Sequence, residues 1–197
     1  MKKLSTLFVV NYENNVPHIT RKVRPENEWV YKEKNVKATR KFDGTACIII
    51  NCQIYKRYDV KKGKPVPLNS ISCQAPDPIT GHWPHWVLCD RNKPEDQYFF
   101  EGVSNLSAYS FYEEDGSLTF YDGTYELCGP KIGTNPEKKA EHVLIKHGRE
   151  VLDIVDFSFS SIKHYLSDPA NDIEGIVFHG EDGKMCKIRK KDFKVKR

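Results

Sequence analysis

Lys41-Phe42-Asp43-Gly44 places a lysine two residues before an Asp-Gly turn. Four further short motifs follow in order: Lys56-Arg57, Tyr125-Glu126-Leu127, Glu174-Gly175-Ile176-Val177 and Lys187-Ile188-Arg189. A lysine before such a turn is a weak signal alone, but the five motifs together supply the residue types that activate a nucleotide. Attack on an α-phosphate calls for a nucleophile, a positive clamp on the phosphates and a group that holds the sugar. Lys41 is the candidate nucleophile, forming a covalent lysyl-nucleotide, and Asp43 with Gly44 makes the turn that aims it. A free lysine is protonated at neutral pH, so neighbouring cations and partial burial must disfavour its charge. Arg40, Lys187 and Arg189 are the available cations.

These residues need strands and turns to position them. Thr45 to Ile54 is a β-branched, apolar run that reads as a buried strand leaving the Asp43-Gly44 turn. Lys61 to Pro67 reads as a basic surface loop, and the Pro- and Gly-punctuated stretch Asp77 to Trp86 as another loop. Trp83 and Trp86 on it either stack on bases or pack against a sheet. Leu118 to Tyr121 and Thr124 to Leu127 flank Asp122-Gly123, a short hairpin signal. Val143 to Ile145 is a strand candidate. Ser158 to Leu166 reads as a serine-capped helix, with Pro169 beyond its end. Ile173 to Phe178 and Met185 to Ile188 bracket Glu181-Asp182-Gly183 as a second hairpin. Lys187 and Arg189 alternate on one strand and so face one side. Many strands, several antiparallel, with few helices give an α+β reading.

The 197 residues suit a single domain over 1–197, able to bury a core without covalent staples. The longest apolar run near the N-terminus, Leu7 to Val10, is too short for a signal-peptide core or membrane span, so a cytoplasmic location without membrane association is expected. Six scattered cysteines without a Cys-x-x-Cys pair read as free thiols. His82, His85 and Cys89 have zinc-like spacing, but no fourth ligand is evident and no structural metal is expected. The net charge of +4 is uneven: residues 187–197 hold seven Lys or Arg against one Asp, which leaves −2 for the rest. Residues 190–197 read as a basic C-terminal tail suited to a polyanionic partner.

On these motifs the chain resembles the lysine-dependent nucleotidyltransferases, namely ATP-dependent DNA ligases, RNA ligases and mRNA capping enzymes. The resemblance spans about residues 35 to 193. It implies an adenylation domain with antiparallel sheets flanked by helices, ATP-grasp-like, using ATP and Mg²⁺, with Mn²⁺ as a substitute. By that resemblance Arg57 contacts the ribose or the incoming phosphate, and Glu126 accepts a hydrogen bond from a ribose hydroxyl. Glu174 binds the divalent ion, directly or through water, and Lys187 contacts the α-phosphate. The second basic position, commonly lysine, is Arg189 here. An aromatic side chain usually stacks on the adenine, and near its expected place stands His147, a stacking candidate or an ordinary surface histidine.

Within that superfamily the chain is most similar to RNA ligases. Tyr125 to Pro130 follows the Glu-Leu-x-Gly-Pro run of one class of phage RNA ligase. DNA ligases and capping enzymes commonly carry Lys-x-Asp-Gly-x-Arg, whereas position 46 here is Ala, and only eight residues follow Arg189, too few for an oligonucleotide-binding barrel. The resemblance implies three steps: Lys41 takes AMP from ATP, AMP passes to an RNA 5′-phosphate, and an RNA 3′-hydroxyl displaces it. The alternatives are a capping guanylyltransferase, an adenylation domain that needs a partner protein to hold RNA, and a catalytically silent RNA-binding domain.

Overall fold

The computed structural model describes residues 2–14, 16–106, 110–112, 118–120 and 122–197. The chain packs as two compact units. One comprises Leu4–Phe42 and Gly148–Arg197 (the Lys41 unit), the other Met1–Lys3 and Asp43–His147 (the Glu126 unit). The architecture is mixed α+β, with several antiparallel sheets and few helices. Among the described residues no helix is long and apolar enough to cross a membrane.

The Lys41 unit opens with β1 (Ser5–Thr6), then β2 (Phe8–Glu13) and β3 (Val16–Val23), which pair with each other as an antiparallel ribbon. A short helix, α1 (Trp29–Lys32), leads into β4 (Lys37–Lys41), so Lys41 is the last residue of its strand.

The Glu126 unit is built on a six-stranded sheet. The apolar run after Gly44 is two strands rather than one: β5 (Thr45–Ile50) and β6 (Gln53–Val60). Asn51 and Cys52 both take positive φ, 48° and 60°, and so form the tight turn of a hairpin. Then come β7 (Ile71–Ser72), β8 (Trp83–Leu88), helix α2 (Gln97–Ser104), β9 (Ser110–Tyr112), β10 (Leu118–Phe120), β11 (Gly123–Cys128) and β12 (Val143–Lys146). The sheet order is β12-β11-β5-β6-β8-β7. Residues 61–67 form the expected exposed loop. By contrast, Trp83 and Trp86 belong to β8, paired with β6, and Trp86 is 3 % exposed, so it packs in the sheet. Among the described residues the expected hairpin across Asp122-Gly123 is also not formed. β10 pairs with β9, while β11 pairs with β5 and β12, because longer-range pairing outweighs a local turn signal. Tyr121 of that expectation lies outside the described residues. Cys47, Ile49, Phe99, Leu106, Tyr125, Leu127 and Leu144 fill this unit's core.

The chain then returns to the Lys41 unit with α3 (Phe159–Ser167), β13 (Gly175–His179) and β14 (Met185–Arg189). Ser158 caps α3, its hydroxyl accepting from the Ser161 N–H at 3.3 Å. β13 and β14 form the expected hairpin, turning through Glu181–Gly183 with Asp182 at φ 56°. The sheet order is β1-β14-β13-β4, with β1 parallel to β14 and the other pairs antiparallel. Leu7, Phe8, Ile162, Leu166, Ile176, Phe178 and Ile188 form the core beneath it. Residues 190–197 are not a free tail. Lys190–Phe193 form a 3-10 turn, Lys190 is 5 % exposed, and the Phe193 ring packs on Phe159 with centroids 5.3 Å apart.

Candidate active site

Register places Lys41 and two further basic residues on one face of the four-stranded sheet. Lys41 pairs with Gly175, and Gly175 pairs with Arg189. The next row two residues back is Thr39, Val177 and Lys187. Directly opposed residues and those two apart share a face, so Lys41, Lys187 and Arg189 project together. Gly175 lets β13 lie close to β14 in this row, since a side chain there would collide with the Ile188 carbonyl oxygen and the Arg189 backbone.

Glu174, one residue before β13, forms an ion pair with the Lys41 amine through its Oε2. The same amine donates to the Phe42 carbonyl at 3.3 Å. The Glu174 carbonyl accepts from the Lys190 N–H at 2.9 Å, which ties this residue to the C-terminal turn. Arg189 is held by Asp192: Nε donates to Oδ2 at 3.1 Å and Nη2 to Oδ1 at 2.8 Å. Burial, then the Arg189 and Lys41 charges, lower the Lys187 amine to about 8, against opposing pulls from Glu174 and Asp192. Arg40 pairs with Ile176 and lies on the opposite, core-facing side of the sheet from Lys41. Its guanidinium donates to Glu150 Oε1 at 3.2 Å and the Asp172 carbonyl at 3.4 Å, and lies 4.8 Å from the Phe42 ring centroid. Strand alternation therefore leaves Lys187 and Arg189 as the cations that accompany Lys41.

The remaining predicted residues lie in the Glu126 unit. Glu126 is 8 % exposed; its Oε1 accepts from the Gly44 N–H at 3.1 Å, and its Oε2 lies 2.8 Å from His147 Nε2. Gly44 admits no side chain, because a methyl group would collide with the Leu127 carbonyl oxygen. His147 is thus a ring held by Glu126, with its backbone N–H on the Thr124 carbonyl, rather than a loose surface histidine. Ala46 pairs with Glu126, and strand alternation puts Arg57 on that same face, with its Nε 3.4 Å from Asp59 Oδ1. Lys56 points the other way into an ion pair with the fully buried Asp96, so the Lys56-Arg57 motif divides into a structural lysine and a candidate site arginine.

Two further acidic residues hold the candidate site residues. Glu137, 7 % exposed, accepts the Asp43 N–H through Oε1 at 3.0 Å, so consecutive amides of the Lys-x-Asp-Gly turn end on buried carboxylates. It lies 94 residues from Asp43, and no local signal announces it. Asp192 did carry a signal: it is the one acid in the basic C-terminal run and stands three residues after Arg189, the spacing of a capping box. Asp43 itself leaves its side chain exposed.

Among the described residues no three His, Cys, Asp or Glu side chains gather as a metal cage. A lone carboxylate such as Glu174 fits Mg²⁺, which keeps several waters and shares its shell with substrate phosphates. No protein-family model matches this chain, and no curated protein matches it at a significant level.

Proposed function

We propose that the protein is an ATP-dependent RNA ligase of the lysine-dependent nucleotidyltransferase type, working through a lysyl-AMP on Lys41. The fold this implies is an ATP-grasp-like adenylation domain. The observation that carries the reading is the Lys41–Glu174 ion pair on the sheet face that also presents Lys187 and Arg189. An amine fixed by a carboxylate, among cations that attract polyphosphate, is the equipment for phosphoryl transfer to nitrogen.

In the first step the Lys41 ammonium gives one proton to solvent, the Nζ lone pair attacks the α-phosphorus of ATP, and a second N–H proton passes to solvent once the new bond has formed. A P–N bond forms as the bond to the bridging oxygen breaks, and pyrophosphate departs with those electrons. Glu174 and the Phe42 carbonyl orient the amine, Lys187 offsets charge on the phosphate oxygens, and Arg189 donates directed hydrogen bonds to them. Mg²⁺ bound at Glu174 would supply further charge neutralisation on the phosphates. AMP then passes to an RNA 5′-phosphate, whose phosphorus a 3′-hydroxyl attacks with loss of AMP. The choice of RNA rests on Ala46 in place of arginine and on the Tyr125–Pro130 motif.

Intact-protein mass spectrometry after incubation with ATP and Mg²⁺ tests the proposal. Wild-type protein is expected to gain one AMP on Lys41 and Lys41→Ala none. Undiminished labelling of the variant, or labelling by GTP alone, would refute it. Sealing of nicked duplex RNA, single-stranded RNA or a broken tRNA loop by the purified chain separates a complete ligase from an adenylation domain that needs a partner.

A further inference from the structure

We infer that Asp192 is a positioning residue that fixes the Arg189 guanidinium as an oriented phosphate fork beside Lys41, an assignment that rests on the nucleotidyltransferase reading above. The pairing is side-on, with Nε and Nη2 donating to the two carboxylate oxygens at 3.1 and 2.8 Å. The Arg189 backbone N–H adds a third bond to Asp192 Oδ2 at 2.9 Å. Side chain and backbone of one residue are thus held by one carboxylate.

Asp192 is itself held. It is the third residue of the turn Lys190–Phe193, in a reciprocal capping box with Arg189. The Lys190 N–H is bonded to the Glu174 carbonyl, the Val195 N–H to the Lys190 carbonyl, and Phe193 is packed on Phe159. Rotating the carboxylate away would break a turn that also restrains Glu174. Ordering entropy, which erodes most surface ion pairs, is therefore largely met by packing.

A guanidinium has five N–H donors, and side-on pairing engages two of them. Of the other three, one on Nη2 and one on Nη1 form the end-on edge, in a plane set by that pairing. A lysine at position 189 keeps the charge but has no second edge, so it cannot bond Asp192 bidentately and present a fixed fork to phosphate as well. This gives a physical reason for arginine at a position where the resembling family commonly has lysine. The pair carries no net charge, so its contribution to phosphate recognition is direction rather than field strength.

That distinction sets the experiment: calorimetric binding of inorganic tripolyphosphate and of ATP to wild type, Asp192→Asn, Arg189→Lys, Arg189→Ala and the Asp192→Asn/Arg189→Ala double variant. Asp192→Asn removes a negative charge, so electrostatics alone predicts tighter tripolyphosphate binding. Positioning predicts the reverse, a loss of about tenfold, the scale of one charge-assisted hydrogen bond. Arg189→Lys is expected to lose a similar factor despite its retained charge, and it serves as the test if Asp192→Asn does not fold. In the Arg189→Ala background Asp192→Asn should cost nothing further. Tighter or unchanged binding in Asp192→Asn, unchanged binding in Arg189→Lys, additive losses, or a wild type that binds no tripolyphosphate would each overturn the proposal. Lysyl-AMP formation is scored separately. A wild type that binds tripolyphosphate with this pattern but forms no lysyl-AMP removes the ligase reading and leaves the Asp192–Arg189 fork standing.

Discussion

Lys41 and Glu174 are joined as an ion pair although 133 residues separate them in sequence. The pairing follows from antiparallel register: Lys41 ends β4 opposite Gly175, and Glu174 immediately precedes that glycine. Replacing Glu174 by Ala should slow lysyl-AMP formation by about two orders of magnitude, the scale of one well-placed electrostatic group. The side chains are only 22 % and 16 % exposed, so Glu174→Ala also leaves a mostly buried amine without its carboxylate, and chemical denaturation should show a loss of about 1–3 kcal/mol. A variant that adenylates at the wild-type rate would detach Glu174 from the chemistry.

The pH dependence centres on Lys187. Its amine is lowered to about 8, chiefly by burial. Below that pH the side chain is charged and attracts phosphate; above it the charge is lost. The apparent affinity for ATP should therefore weaken as pH rises through about 8, and bound phosphate should raise the titration. Stability changes in the opposite sense: the penalty of burying the charged amine is present at low pH and relieved as pH rises from about 8 to the ordinary lysine value. Lys187→Arg should hold ATP affinity flat to higher pH in the same titration, and a profile that keeps its downturn would assign the effect elsewhere.

Gly44→Ala should be far more damaging than Gly183→Ala. At Gly44 the added carbon meets the Leu127 carbonyl and would push the Gly44 N–H off Glu126, whereas at Gly183 it enters open space and meets only the strain of a φ of 71°. The expected difference in urea denaturation is at least about 2 kcal/mol, since a displaced buried amide adds to the collision. Equal effects would show that the close approach is not needed.

Glu137→Ala leaves the Asp43 N–H without its carboxylate, a loss of about 1–3 kcal/mol for a part-buried bond to a charged group. Glu137→Gln retains an acceptor oxygen and should recover most of this stability. Chemical denaturation of the two variants is the check, and identical losses would mean that the bond to Asp43 contributes nothing.

RNA binding should be salt-dependent through the exposed lysines of the C-terminal turn. Deleting residues 190–197 would also remove Asp192 and Phe193, so substitution is the cleaner test. Changing Lys191, Lys194 and Lys196 to Gln should reduce the slope of log affinity against log salt by about 2 for single-stranded RNA while sparing lysyl-AMP formation. An unchanged slope would remove these lysines from the RNA contact.

The order of motifs and the β13–β14 hairpin were legible in the sequence because both are local: alternation alone puts Lys187 and Arg189 on one face. The serine cap of α3 was legible for the same reason. Arg40 lies on the other face from Lys41 because adjacency in sequence means opposite faces of a strand. The run from Thr45 to Ile54 hid its Asn51-Cys52 turn because Cys is not a turn signal, although both residues take positive φ. The division into two units was not legible, since no Gly- or Pro-rich linker marks it; one of its boundaries falls between Phe42 and Asp43, inside the Lys-x-Asp-Gly motif. Glu137 depends on a contact 94 residues long, and no local pattern encodes such a contact.

The Lys41 unit is discontinuous, with β4 on one side of residues 43–147 and its neighbour β13 on the other. During synthesis on the ribosome, β4 emerges without the strand it pairs with, and the whole of 43–147 follows before that strand appears. The intervening stretch can collapse around its own core first, whereas the Lys41 unit must wait for distant loop closure, the slow element of folding. Nascent chains of this protein are therefore expected to need shielding of Leu7, Phe8 and their neighbours until translation has passed Arg189.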